Sequence, residues 1–131
     1  MDNEMIKSLD DIKDVSIYNN GKEFCYKKDS LEYAKIVKNL KKVYGEAVLM
    51  PAFGVSLHNE TMAAMQEGVW LKINYDTEKI TNDLPYSALI IKLEEEPVYG
   101  FNIIREYNGK LDGRCLYLTL SQEINLMEVL K

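Results

Sequence analysis

The side chains able to do chemistry are few, and their spacing decides most of what can be said of them. The chain has one histidine, His58, and two cysteines, Cys25 and Cys115, ninety residues apart. A cysteine nucleophile needs a general base beside it, so any small enzyme built on this chain would run through His58. Both cysteines fall in stretches that read as strand interior, where a thiol is an inert small hydrophobe. Without a secretion signal they are expected as reduced thiols rather than a disulfide. A structural zinc site wants about four Cys, His or carboxylate ligands, and a single histidine with two separated cysteines does not supply them. The oxygen-rich stretch from Asp76-Thr77-Glu78 to Asn82-Asp83 lacks the D-x-[DN]-x-[DN]-G spacing of a calcium loop. No G-x-x-x-x-G-K-[ST] or G-x-G-x-x-G run is present, so ATP and NAD chemistry have no support. No metal, cofactor or catalytic set is expected.

Carboxylates are abundant, but Glu94-Glu95-Glu96 are consecutive and precede Pro97. That pattern suits a solvated strand end better than a hydrolytic pair held at a fixed separation. Arg105 and Arg114, the only arginines, flank a turn over 108–113. They could clamp an anion, or pair across the strands with Glu106 and Asp112, which is the favoured reading. With His58 and Trp70 they form the candidate ligand-binding set. The cleft expected for such a ligand lies between the sheet and the 51–57 crossing, lined by Phe53, Trp70 and tyrosines.

Tyrosine is enriched in protein interfaces, and several of the nine lie among carboxylates. Tyr75, Asp76, Glu78, Asp83, Tyr86, Glu94, Glu95, Glu96 and Tyr99 are therefore the candidate partner-binding residues, an aromatic centre with a charged rim.

Charge supports that reading. The net charge is -5. Residues 1–45 hold nine lysines against eight acids, whereas residues 46–131 hold seven basic and thirteen acidic residues. An acidic surface repels phosphate backbones, which argues against direct nucleic-acid binding, and it steers toward basic partners. The start Met1-Asp2-Asn3-Glu4-Met5 has no apolar segment behind it, so a cytoplasmic protein is expected. No stretch approaches the roughly 18 apolar residues of a membrane span. At 131 residues and 47% hydrophobic content, one domain over 1–131 is the natural size.

The elements that must position these residues follow from turn and periodicity signals. Residues 14–28 read as a hairpin about Asn19-Asn20-Gly21. A helix follows, with Asp29 as N-cap, Glu32 completing a capping box, Gly45 as its stop, and Leu31, Ala34, Val37, Leu40 and Tyr44 as its buried face. Ala47 to Met50 reads as a short strand, followed by an irregular buried crossing broken by Pro51 and Gly54. Asn59 starts a short helix with Met62 and Met65 inward and Gly68 ending it.

Strands follow at 69–75, 87–93, 98–107 and 114–120, with a polar connection over Asp76 to Pro85. A last helix is capped by Ser121. In the first of these strands Val69, Leu71, Ile73 and Tyr75 share one face, and Trp70, Lys72 and Asn74 the other. The fold class is α+β: a mostly antiparallel sheet, made of an N-terminal hairpin and a C-terminal four-strand meander, with two to three helices packed on one face.

The function expected from these features is that of a non-enzymatic acidic module that neutralises a basic, nuclease-like or nucleic-acid-handling protein. Bacterial immunity proteins against nuclease toxins, and phage-encoded inhibitors of nucleic-acid enzymes, are of this physical type, an analogy of class rather than of motif. A small-molecule sensor or carrier is the alternative, and a small enzyme using His58 the third reading. An exposed edge strand would let two copies pair, so monomer and homodimer both stay open.

Overall fold

The computed structural model describes residues 4–131; Met1 to Asn3, the first part of the acidic start, lie outside the described residues. A short helix, α1 (Glu4–Ser8), and a 3₁₀ turn (Leu9–Asp11) come first, and neither is marked by the sequence pattern. Then β1 (Ile12–Asn19) and β2 (Lys22–Lys27) form the expected hairpin. Asn20 and Gly21 take φ of 50° and 85°, the two positive values that a type I′ turn requires.

Helix α2 (Leu31–Glu46) begins one residue later than the cap signal suggests. Ser30, not Asp29, accepts the Tyr33 backbone N–H, at 3.1 Å. Its buried residues are Ile36, Leu40, Val43 and Tyr44, while Leu31 is 86% exposed. The 33–36–40–43 stripe has the same helical spacing as the expected one, so periodicity alone does not choose between the two phases. Gly45 lies inside the helix, which runs on to Glu46 and passes directly into a strand.

The remaining elements are β3 (Ala47–Met50), β4 (Val55–Ser56), α3 (His58–Ala64), β5 (Val69–Thr81), β6 (Leu84–Leu93), β7 (Val98–Glu106), β8 (Gly113–Arg114), β9 (Leu116–Ile124) and a closing 3₁₀ turn (Leu126–Leu130). Seven strands form one sheet in the order β2-β1-β5-β6-β7-β9-β3, and β4 pairs with β8 in a small second sheet. Every pairing is antiparallel. The four-strand meander is there, flanked by the N-terminal hairpin on one side and β3 on the other.

Two connections differ from expectation. Asp76 to Pro85 is not a loop: β5 and β6 continue through it and turn on Asn82 and Asp83, at φ of 53° and 63°. The last helix is a strand end followed by the 3₁₀ turn, whose Met127 N–H is capped by Asn125 Oδ1 at 2.9 Å. Ser121 lies within β9.

Side-chain alternation sorts the sheet into two faces. Leu71, Ile73, Leu89, Ile91, Ile103, Leu116 and Leu118 point to one face. There they bury against α2, Met5 of α1, and Leu126 and Val129 of the 3₁₀ turn. Each of these side chains contributes roughly 1.5–3 kcal/mol by leaving water. Trp70, Ile90 and the partly buried Tyr18 and Ile104 point the other way, under Met65 and Leu111. Two helices, α1 and α2, thus pack on one face as expected, and α3 with the 107–113 loop covers part of the second.

The sheet is also strongly curled. Asn82 Nδ2 donates to the Met50 carbonyl at 2.9 Å, although β5 and β3 stand four strands apart in the sheet. In a flat sheet those strands would be roughly 19 Å apart, at about 4.8 Å per step. Among the described residues no helix is long and apolar enough to cross a membrane.

Candidate functional site

Among the described residues, a polar groove of about 680 Å3 runs between α2, the end of β9 and the closing 3₁₀ turn, and two further places are candidates for binding. The first is a cleft on the second face. Helix α3 is stapled to the 107–113 loop at its first residue: the His58 backbone N–H donates to Asp112 Oδ1 at 2.7 Å, and the Leu111 N–H donates to His58 Nδ1 at 3.0 Å. A ring nitrogen that accepts carries no proton, so Nε2 is the protonated nitrogen. Ser56 and Thr61 hydroxyls share a further bond of 2.7 Å beneath the same helix.

Between α3, the β1–β2 turn and the 107–113 loop lies a cleft of about 240 Å3. Met65, Ile90 and Leu111 make its apolar base, with Met62 at the rim; His58, Tyr18, Gln66, Lys72 and Glu106 make its polar wall. Lys72 Nζ and Glu106 Oε2 form an ion pair of 2.7 Å with only 19% and 23% of their side chains exposed. Burial, then the charge and hydrogen bond of Glu23, then the charge of Glu106 push the Tyr18 hydroxyl up to about 12. It is therefore a protonated donor throughout the neutral range. A shallower basin shares Glu106 with this cleft and is lined by Asp14, Ser16, Glu23, Cys25 and Asn74 among others. The Ser16 hydroxyl there is buried without a hydrogen-bond partner.

The second place is the β3 edge. Val48, Met50, Phe53, Val55 and Leu57 are all exposed large apolar residues, and residues 47–57 contain no charge at all. Sequence reading makes the 51–57 stretch a buried crossing, but Phe53 is 65% and Val55 68% exposed. The backbone is what the fold holds. Cys115 N–H donates to the Gly54 carbonyl at 3.1 Å, and β4 pairs with β8, so the side chains are left outside. Phe53 rests on Tyr117, ring centres 5.4 Å apart. The Tyr117 ring lies over Gly100, where an added Cβ would meet the Tyr117 hydroxyl oxygen at 2.6 Å.

Compared with known protein families, curated proteins and solved structures, the chain matches none. The two sites therefore stand on their own geometry.

The structure divides the expected partner-binding set. Tyr75 and Tyr86 are buried and stack edge to face in the core, centres 5.6 Å apart, so neither belongs to an exposed surface. Tyr75 shares the inward parity of Leu71 and Ile73, and the Tyr86 hydroxyl is satisfied internally by Thr81 at 2.8 Å. Asp76, which pairs with Lys28 at 3.2 Å, Glu78 and Asp83 lie toward the tip of the β5–β6 hairpin. Glu94, Glu95 and Glu96 follow the other end of β6, about ten residues or roughly 30 Å away. Tyr99 is exposed on β7. These residues form two acidic poles and not one rimmed patch.

Of the ligand set, His58 and Trp70 reach the same face. Trp70 is buried under Met65, and its indole N–H is taken by the Glu67 carbonyl at 2.8 Å. Arg105 is buried and spent on two backbone carbonyls, Arg114 at 2.7 Å and Pro85 at 2.6 Å. Burial lowers its pKa from the usual arginine value. Arg114 is exposed beside Pro51 and Asn82. The two arginines form no anion clamp, and Glu106 and Asp112 pair elsewhere.

Cys115 is buried, and burial pushes its thiol up, the opposite of an activated nucleophile. Cys25 is exposed on β2 rather than interior. Among the described residues no three His, Cys, Asp or Glu side chains gather into a metal-holding group. Tyr18, Lys72 and Glu106 were not legible as site residues, because three strands distant in sequence bring them together.

Proposed function

We propose that this chain is a non-enzymatic protein-binding module. In this reading it engages a basic protein partner along the outer edge of β3, short of the Met50 carbonyl that Asn82 holds, and along the apolar segment that follows. One observation carries it: five exposed large apolar side chains lie between residues 48 and 57, on and beside an edge strand that has no charged residue. Exposed contiguous apolar surface marks interaction sites, and an edge strand offers unpaired backbone groups to an incoming extended segment. Glu46 precedes this edge, and Asp83 sits beside Asn82, which holds the end of the strand. Together with the net charge of -5 they favour a partner with basic residues flanking an extended apolar stretch. Neutralisation of a basic nucleic-acid-handling protein is a role suited to such a surface, on the analogy of class.

The test is a double variant, Val48→Lys with Val55→Lys. Lysine on an edge strand blocks pairing, and at sites this exposed the stability change stays within about 0.5 kcal/mol. Wild-type protein is expected to retain a basic protein from a cell extract, with an association rate that falls as salt rises, and the variant to retain none of it. Identical recovery by both proteins overturns the reading. So does an edge that pairs only with a second copy, seen as a dimer that the variant dissolves.

A further inference from the structure

We propose that the cleft beside His58 binds a free apolar α-amino acid, held as a zwitterion against the Lys72–Glu106 ion pair with its side chain on the aliphatic base. This site goes beyond the protein-binding reading and occupies a different part of the sheet. Size limits the ligand first. At about 240 Å3 the cleft falls below the roughly 300–1,000 Å3 of pockets for drug-sized ligands, a size that suits one amino acid.

Charge limits it next. Lys72 and Glu106 meet at 2.7 Å and are mostly buried. An ammonium has three donors and a carboxylate about four acceptor positions, so one mutual bond leaves most of that capacity unused. A ligand with one charge would answer only one of the two groups and leave a net charge in a partly desolvated place. A zwitterion answers both: its carboxylate faces Lys72, its ammonium faces Glu106, and four charges alternate in sign.

His58 adds direction. The Leu111 N–H holds Nδ1, so Nε2–H is the donor left for a ligand carboxylate. The base fixes the side-chain class. Met65, Ile90 and Leu111 are aliphatic or thioether groups, and Met62 at the rim is 47% exposed. Methionines adapt to irregular apolar shapes, which suits leucine or methionine as the ligand side chain.

Four probes read the proposal by calorimetry and by amide NMR shifts: L-leucine, 4-methylpentanoate, isoamylamine and glycine. They carry respectively both charges and the side chain, no ammonium, no carboxylate, and no side chain. L-leucine is expected to bind and to shift the amides of Lys72, Glu106 and Leu111. Each of the other probes should bind about tenfold more weakly or worse, the loss of one charge-assisted contact or of the buried side chain. Glu106→Gln should weaken L-leucine about tenfold and tighten 4-methylpentanoate, whose carboxylate then meets a Lys72 that has lost its ion-pair partner. Met62→Trp, at an exposed rim position that does not threaten folding, should block every probe, and the Val48→Lys, Val55→Lys variant should bind L-leucine as wild type does. No heat and no shift with millimolar L-leucine overturns the proposal, as does equal binding of all four probes. Undiminished L-leucine binding by Met62→Trp overturns the site.

Discussion

The two edges of the large sheet follow opposite rules. β2 carries Lys22, Glu23 and Lys27 in six residues, and Lys22 lies over the exposed Phe24 ring, 5.3 Å from its centre. β3 is Ala-Val-Leu-Met, ends at Pro51, and has no charge from residue 47 to 57. Lysines on an edge are how soluble sheets discourage pairing with other chains. The same chain guards one edge and leaves the other open, although both border the same core. That asymmetry locates an interaction surface better than acidity does, because the acids of the expected patch lie toward opposite ends of β6.

The largest effect is expected in the strand that both edges depend on. Leu89, fully buried on β6, should cost about 2–5 kcal/mol as Leu89→Ala, read by denaturant unfolding. A cost below 1 kcal/mol would mean the core does not close over β6 as described.

Removing the guard is the next test. Lys22→Val with Lys27→Val gives β2 an edge more like that of β3. It should raise the mass measured by light scattering above that of wild type, and an unchanged mass would show that the lysines are not what protects it. At the other edge, Asn82 both adopts φ 53° and holds the end of β3. Asn82→Ala should cost about 1–2 kcal/mol, through a strained turn and a lost bond. Asn82→Gly keeps the turn and should cost about 1 kcal/mol or less, with faster amide exchange confined to residues 47–50.

The smallest effect depends on pH. Tyr18 bonds Glu23 on the guarded edge, with its hydroxyl pushed up to about 12. A group whose folded pKa is raised contributes stability that is complete below its unfolded value, near 10, and lost as pH rises through the folded value. Melting temperature should therefore fall between pH 10 and 12, and less steeply in Tyr18→Phe. Parallel curves for the two proteins would remove Tyr18 from the account.

Local signals carried much of the fold. Asn20-Gly21 and Asn108-Gly109 announce their turns, and the parity that sets Leu71 and Ile73 against Trp70 and Lys72 is the parity observed. That same parity already implied a buried Tyr75, which its place among carboxylates obscured. Asn82-Asp83 turns as tightly, but its polar flanks over 76–85 hide strands that continue beyond the body of the sheet. Helix α2 has two apolar stripes of equal spacing, and only the tertiary contact chooses between them. The site was the least legible part. His58 stood out as a single histidine, but Lys72 and Glu106 meet through β5–β6–β7 register, which no local pattern encodes.

The position of β3 also sets a schedule for the chain during synthesis. The strand emerges early, yet its partner β9 is made about seventy residues later. At roughly 5–20 residues per second, an uncharged apolar segment waits about 4–14 s on the ribosome before its own fold can shield one side of it. The surface proposed as the adult interface is thus also the newborn chain's point of greatest exposure to chaperones.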